Sequence, residues 1–253
     1  MVSMARWVGK VAVVTGASAG IGASICEKLV EEGLHVVGIA RRKNLMDEIC
    51  QKLSDKKGKL YSFQADLSNE KEILAAFEWI RKNLGPVHIL VNNAGLILPT
   101  NLTNGDTEMW RTILEVNVLG LCIATREAIQ DMNKNEIDGH IVHINSIAGH
   151  KVPDIPLFNI YPASKFAVTA LTESLRVELN SLQSKIKITS ISPGAVATEF
   201  INASGIQPDE QVSKAFKVSL NPEDVANAVL YVLSTPPHVQ VQELTIKPVN
   251  EPF

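Results

Sequence analysis

Short runs rich in Val, Ile and Leu recur along the chain, separated by longer stretches whose apolar positions repeat at helical spacing. Strands are predicted over Lys10–Thr15, His35–Ala40, Lys59–Gln64, Val87–Asn92, His140–Asn145, Lys187–Ser192 and Glu243–Lys247. Several are almost continuously apolar, as strands buried on both faces of a parallel sheet are. Helices are predicted over Gly20–Glu32, Leu45–Ser54, Glu70–Leu84, Asp106–Met132, Tyr161–Leu182 and Pro222–Leu233. Strand and helix alternating in this way imply an α/β fold, a doubly wound parallel sheet of about seven strands with helices on both faces. No repeat or low-complexity linker divides the sequence, so residues 1–253 are expected to form one domain. The stretch 194–220 lacks a clear element but carries Phe200, Ile201 and Phe216. A loop of that length is expected to be a lid over an apolar pocket, with an ordinary surface insertion as the alternative.

Composition narrows the partners. A formal net charge of -3 provides no field for nucleic acid or an anionic membrane surface. No apolar run approaches the roughly 20 residues that span a bilayer, and the first ten residues are too polar for a secretory signal. The three cysteines, Cys26, Cys50 and Cys122, have no metal-ligand spacing and no pairing framework. They are read as small apolar residues of a reduced, cytoplasmic protein.

The first candidate chemistry follows the first strand, where Thr15-Gly16-Ala17-Ser18-Ala19-Gly20-Ile21-Gly22 leads into a helix. Glycines there allow a tight turn and a close backbone approach to a pyrophosphate, which the free N–H groups of the helix start then bind. Without a following Lys-Ser/Thr, a triphosphate-binding loop does not fit. The second strand ends at Ala40-Arg41-Arg42. An acid in this place would favour NAD, whereas two guanidinium groups favour the 2′-phosphate of NADP. Asp66, after the third strand, either bonds an adenine edge or caps the next helix. Asn92-Asn93-Ala94-Gly95, after the fourth, either touches the cofactor or is plain turn chemistry.

Tyr161-Pro162-Ala163-Ser164-Lys165 opens a helix and places Tyr161 and Lys165 four residues apart on one face. An ammonium about 4–5 Å from the phenol contributes roughly 3–4 kcal/mol at an effective dielectric near 20, enough to lower the phenol by about 2–3 pKa units. The pair is therefore expected to be an acid–base couple; an amphipathic tyrosine beside a solvated lysine is the plainer account. Ser146, ending the fifth strand, is placed to orient a substrate oxygen. Asn117, a polar residue in an apolar stretch, either holds a water linking Lys165 to solvent or serves a helix bend. Phe158, Phe200, Ile201 and Phe216 are pocket candidates, with core packing as the default.

TGASAGIG, Asp66, NNAG, Asn117, Ser146, YPASK and SPGAVATEF occur in the order found in the short-chain dehydrogenase/reductase family, which the chain resembles over nearly its full length. The resemblance implies a Rossmann domain, an Asn117–Ser146–Tyr161–Lys165 tetrad, and an NADP site. That site would include Gly16, Ser18, Ala19, Gly20, Ile21, Gly22, Arg41, Arg42, Asp66, Leu67, Asn93 and Gly95. Gly194, Val196 and Thr198 would flank the nicotinamide, and Lys165 would hold its ribose hydroxyls. It also implies a homodimer or homotetramer formed through the helices that carry Asn117 and Tyr161. RWVGKVAVVTGAS, VVGIARR, NSIAGHKVP and YVLSTPPHVQV resemble the branch of insect NADP-dependent farnesol dehydrogenases and their vertebrate relatives associated with ketosteroid and dicarbonyl reduction. That branch implies a small apolar alcohol, or its carbonyl partner, as substrate. An NADPH-sensing protein without turnover and a methyltransferase are the rivals; the second leaves YPASK and the two arginines unexplained.

Overall fold

A computed structural model describes residues 3–155, 158–205 and 216–251. Its strands are β1 (Val11–Thr15), β2 (His35–Ala40), β3 (Lys59–Gln64), β4 (Val87–Asn92), β5 (His140–Ile144), β6 (Lys187–Pro193) and β7 (Glu243–Ile246). All pair in parallel, in the order β3-β2-β1-β4-β5-β6-β7. The expected seven-stranded, doubly wound sheet is thus present, within a residue or two at every strand end.

The apolar runs alternate between two cores, as a period of two requires. Ala12 and Val14 of β1 and Val36 of β2 face helices α1 (Gly20–Glu31) and α2 (Lys43–Lys52), together with α8 (Pro222–Ser234). Val11, Val13, Val37 and Ile39 face the other way, onto α3 (Glu70–Asn83), α5 (Leu121–Lys134) and α6 (Ile160–Ser181). Ile25 and Leu29 of α1 and Ile73 and Phe77 of α3 are fully buried, so cutting any of the aliphatic ones to Ala would cost about 2–5 kcal/mol. Among the described residues, two short helices complete the α-helical set, α4 (Thr107–Leu114) and α7 (Phe200–Ala203).

The helix predicted over Asp106–Met132 is not regular. Between α4 and α5, residues Glu115–Gly120 form a π-helical segment, with Asn117 inside it. Such wide turns occur in single pieces within α-helices, frequently at functional sites.

Neighbouring strands β1 and β4 mark where the winding direction reverses, and the crevice outside their carboxyl ends is the usual ligand position in such sheets. The segments after β1, β2, β4, β5 and β6 all line one cleft there, of about 620 Å³. Among the described residues, no helix is long and apolar enough to cross a membrane.

Candidate active site

The cleft starts at the turn after β1. Gly16 (φ +69°) and Gly20 (φ +54°) adopt backbone that side chains resist. A Cβ on Gly22 would overlap the Gly16 carbonyl and the Asn93 amide. Ala19 offers no side-chain cap to α1, which leaves the first-turn N–H groups to an occupant of the cleft that Ser18–Gly22 line. These features fit an anionic, dinucleotide-like group.

Asn93 braces this turn from β4. Its Nδ2 donates to the Thr15 carbonyl (2.9 Å) and the Gly16 carbonyl (3.2 Å). Thr15 completes the brace, its Oγ1 accepting from Asn93 N and Ala94 N at 3.0 Å each. In the sequence Thr15 heads the glycine motif, but nothing there signals a role for its side chain.

Arg41 and Arg42 line the same cleft beyond β2. Arg41 is exposed, with Nη1 4.0 Å from Asp66 Oδ2. Arg42 Nε donates to Ser18 Oγ at 3.3 Å and Nη2 to Glu199 Oε1 at 2.8 Å. Glu199, just before α7, is a cleft residue the sequence did not single out. Asp66 Oδ1 accepts from Ser68 N and Oγ. It does not cap α3; Asn69 does, accepting from Lys71 N. Leu67 and Gly95 also line the cleft. A Cβ on Gly95 would lie 3.5 Å from Asn117 Oδ1 and 3.9 Å from Lys165 Nζ.

At the other end, Pro162 sits in the first turn of α6, where its missing N–H costs no helical bond. Tyr161 and Lys165 therefore rise together, both buried. Lys165 Nζ lies 5.8 Å from the Tyr161 ring centroid and donates to the Ile144 carbonyl at 3.0 Å. Burial pushes the Lys165 amine down to about 8. The phenol does not follow the expected course. Burial pushes it up to about 12, against the opposing pull of a hydrogen bond with Ser146. Desolvation of the phenolate is the larger effect, and Lys165 Nζ is aimed at the Ile144 carbonyl rather than at the phenol oxygen. Ser146 Oγ also accepts from Ala148 N at 3.0 Å.

Asn117 is 2 % exposed. Its Oδ1 accepts from Leu96 N (2.8 Å), and its Nδ2 donates to Leu96 O (2.9 Å) and Ser164 Oγ (3.0 Å). Both amide hydrogens are committed, leaving no side-chain donor for a relay water. The hydrogen bonds of Asn117 instead tie the π segment to the Leu96 backbone and to α6.

An apolar cluster surrounds the phenol. Phe158 meets Tyr161 edge-on at 5.9 Å, and Phe200 lies 5.8 Å away on a tilt. Ile97, Ala148 and Ile155 belong to the same cluster, with Ile201 and Phe216 packed against it. All four pocket candidates are thus gathered at the tyrosine. Ile97 and Ile155 were missed, since single isoleucines in loops carry no signal. Beyond β6, Gly194, Val196 and Thr198 line the cleft between the two ends. Residues 206–215 of the expected lid lie outside the described residues.

Comparison with known proteins adds an independent line. The chain is 50% identical over 252 residues to farnesol dehydrogenase of Aedes aegypti, covering 99% of this chain and 100% of that one. It is 45% identical to dehydrogenase/reductase SDR family member 11 of Bos taurus, covering 98% and 99%. Among solved structures, the closed form of a serine dehydrogenase complexed with NADP+ superposes with a TM-score of 0.86 at 32% identity, covering 96% of each chain. The short chain dehydrogenase pattern matches residues 10–209, and the chain belongs to the short-chain dehydrogenase/reductase family of oxidoreductases.

Proposed function

We propose that the protein is an NADP(H)-dependent oxidoreductase that interconverts an apolar alcohol, of the terpenoid kind such as farnesol, and its carbonyl. The observation that carries this reading is the Ser146–Tyr161–Lys165 group, its Tyr161 and Lys165 buried, which opens onto a pocket of Phe158, Phe200, Ile201 and Phe216. The opposite end of the same cleft bears a glycine turn and Arg41 and Arg42. The relative named farnesol dehydrogenase supports the substrate class. Arg41 and Arg42 at the end of β2 support NADP over NAD.

When bound, the nicotinamide supplies or accepts the hydride. Ser146 and Tyr161 hold the substrate oxygen; Tyr161 donates its proton as a carbonyl is reduced and takes it back as an alcohol is oxidised. Lys165, held by the Ile144 carbonyl, keeps an ammonium beside the phenol and is placed to bind ribose hydroxyls. Asn117 acts indirectly, fixing Leu96 and α6 in position. Gly194, Val196 and Thr198 flank the nicotinamide. Phe200, Ile201 and Phe216, from the described parts of segment 194–220, border the substrate end, and the protein acts as a single-domain, cytoplasmic homo-oligomer.

A phenol held up to about 12 is neutral near pH 7, the form that donates a proton. A second reading, a reductase of ketosteroids or other carbonyls, uses the same machinery, and the relatives named dehydrogenase/reductase SDR family member 11 support it. Following nicotinamide absorbance with NADP(H), with farnesol, shorter alcohols and hydroxysteroids in one direction and carbonyls in the other, separates the two. Farnesol turnover that falls with chain truncation supports the first; rapid ketone reduction without alcohol oxidation supports the second. Tyr161→Phe is expected to bind NADPH normally and lose turnover by about 100-fold or more. A Phe variant that still turns over well refutes the mechanism.

A further inference from the structure

Glu251 takes no part in the chemistry above and does not line the cleft, yet its side chain is 0 % exposed. A carboxylate in that setting is costly to desolvate unless it is both hydrogen-bonded and paired. Glu251 is both. Oε1 accepts from Ala195 N at 2.6 Å, and Oε2 lies 3.2 Å from Lys247 Nζ. A turn aims it inward: Glu251 N donates to Pro248 O at 3.2 Å, and Asn250 adopts φ +67°, a region Asn tolerates better than most residues. The carboxylate then packs against Gly194, where any Cβ would overlap it.

Ala195 lies within the loop after β6, whose Gly194–Val196 backbone lines the cleft on one side and meets Glu251 on the other. Three further bonds pin this loop: Gly194 N to Ile246 O, Leu220 N to Ala195 O, and Ala197 N to Leu220 O, each 2.8 Å. Of these four bonds, only that from Glu251 comes from a side chain, and it is the charged one. Hydrogen bonds with an ionised partner are roughly twice as strong as neutral ones.

We propose that Glu251 is a positioning residue. Its carboxylate sets, from behind, the Gly194–Val196 backbone that flanks the nicotinamide half of the cofactor, an inference that rests on the cofactor reading above. Among the described residues, Gly194–Val196 makes no hydrogen bond or ion pair to Arg41 or Arg42; the loop reaches the adenosine end only further along, where Glu199 Oε1 accepts from Arg42 Nη2 at 2.8 Å. Loss of Glu251 therefore loosens one half of the dinucleotide site and spares the other.

The test is a titration of wild type, Glu251→Ala, Glu251→Asp and Glu251→Gln with NADPH and with adenosine 2′,5′-bisphosphate, which lacks the nicotinamide half. Glu251→Ala is expected to weaken NADPH by about 10-fold or more, with the bisphosphate unchanged. Glu251→Asp keeps the charge but falls a methylene short of Ala195, and shows the same selective loss should the Ala variant not fold. Glu251→Gln, whose amide oxygen still accepts from Ala195 N but which loses the charge and the Lys247 pair, recovers part of the affinity. Equal losses for both ligands, or no loss, overturn the proposal. If wild type binds neither ligand, the cofactor reading fails and takes this inference with it, a result visible before any substitution is made.

Discussion

Replacing Asn117 with Ala separates a side chain that holds the site together from one that conducts protons. The substitution removes three hydrogen bonds: two to the Leu96 backbone and one to Ser164 Oγ. Each is worth a net contribution of about 0.5–1.5 kcal/mol, and a buried polar group left unsatisfied costs about 1–3 kcal/mol. Ser164 keeps a partner, because its hydroxyl still donates to Tyr161 O at 2.7 Å. Leu96 is half-buried and borders the cleft, so water reaches part of what is vacated. The expected destabilisation is therefore about 2–3 kcal/mol. For a chain of this size, that lowers Tm by roughly 4–12 °C. Asn117→Asp preserves the acceptor for Leu96 N but loses both donors and sets a carboxylate against Leu96 O, so it does no better than Ala. Urea unfolding followed by circular dichroism gives the free energies, and NADPH-dependent turnover on the same samples gives the activity. A variant of unchanged stability with abolished turnover and a shifted pH–rate profile would refute this, and would return Asn117 to the proton path.

Further outcomes follow from the same geometry. Arg41→Asp is expected to weaken NADPH by about 10–100-fold with little effect on NADH, measured by fluorescence titration; equal losses would defeat the 2′-phosphate assignment. Burial, reinforced by Lys165, holds the His143 imidazole down to about 3, and His140 shifts the same way for the same chief reason. Between about pH 6.5 and pH 3, the unfolded chain therefore binds protons that the folded chain refuses. For His143, stability falls with falling pH in that window by about 1.4 kcal/mol per pH unit, with His140 acting in the same direction, and His143→Gln should flatten the slope of the urea midpoint against pH. Lys165, pushed down to about 8 by burial, adds a change at the alkaline end. Its folded pKa is depressed, so stability rises between about pH 8 and pH 10.5, and Lys165→Met removes that rise.

What could be read from the chain differs between sheet and site, for a physical reason. β1 lies wholly buried in the sheet and is apolar up to Thr15, and β4 and β5 are apolar but for Asn92 and the histidines His88, His140 and His143, a pattern that admits few other structures. Tyr161, Ser146 and the four apolar pocket residues were also legible, because spacing and residue type carry the information. The direction of the Tyr161 shift was not. It depends on how far the phenol is desolvated and on where Lys165 Nζ points, and neither is written in a four-residue spacing. The π segment was invisible because six residues are too few to distinguish a wider helical period from a regular one. Glu199 and Glu251 escaped notice since isolated acids read as solvated surface, and only the folded loops bring them to Arg42 and Ala195.

The π segment at Glu115–Gly120 also separates the length of a helix from its chemistry. Its i to i+5 bonding encloses one residue more than a regular turn, so the helix on either side keeps its phase while one position is accommodated as surplus. Removing a single residue there would leave α4 and α5 facing the partners they already have, and the core beneath Ala124, Ala128 and Met132 would register little. What would be lost is the aim of Asn117, and with it the hold on Leu96 and Ser164. A shortened helix of this kind would fold nearly as before and be out of true only at the site.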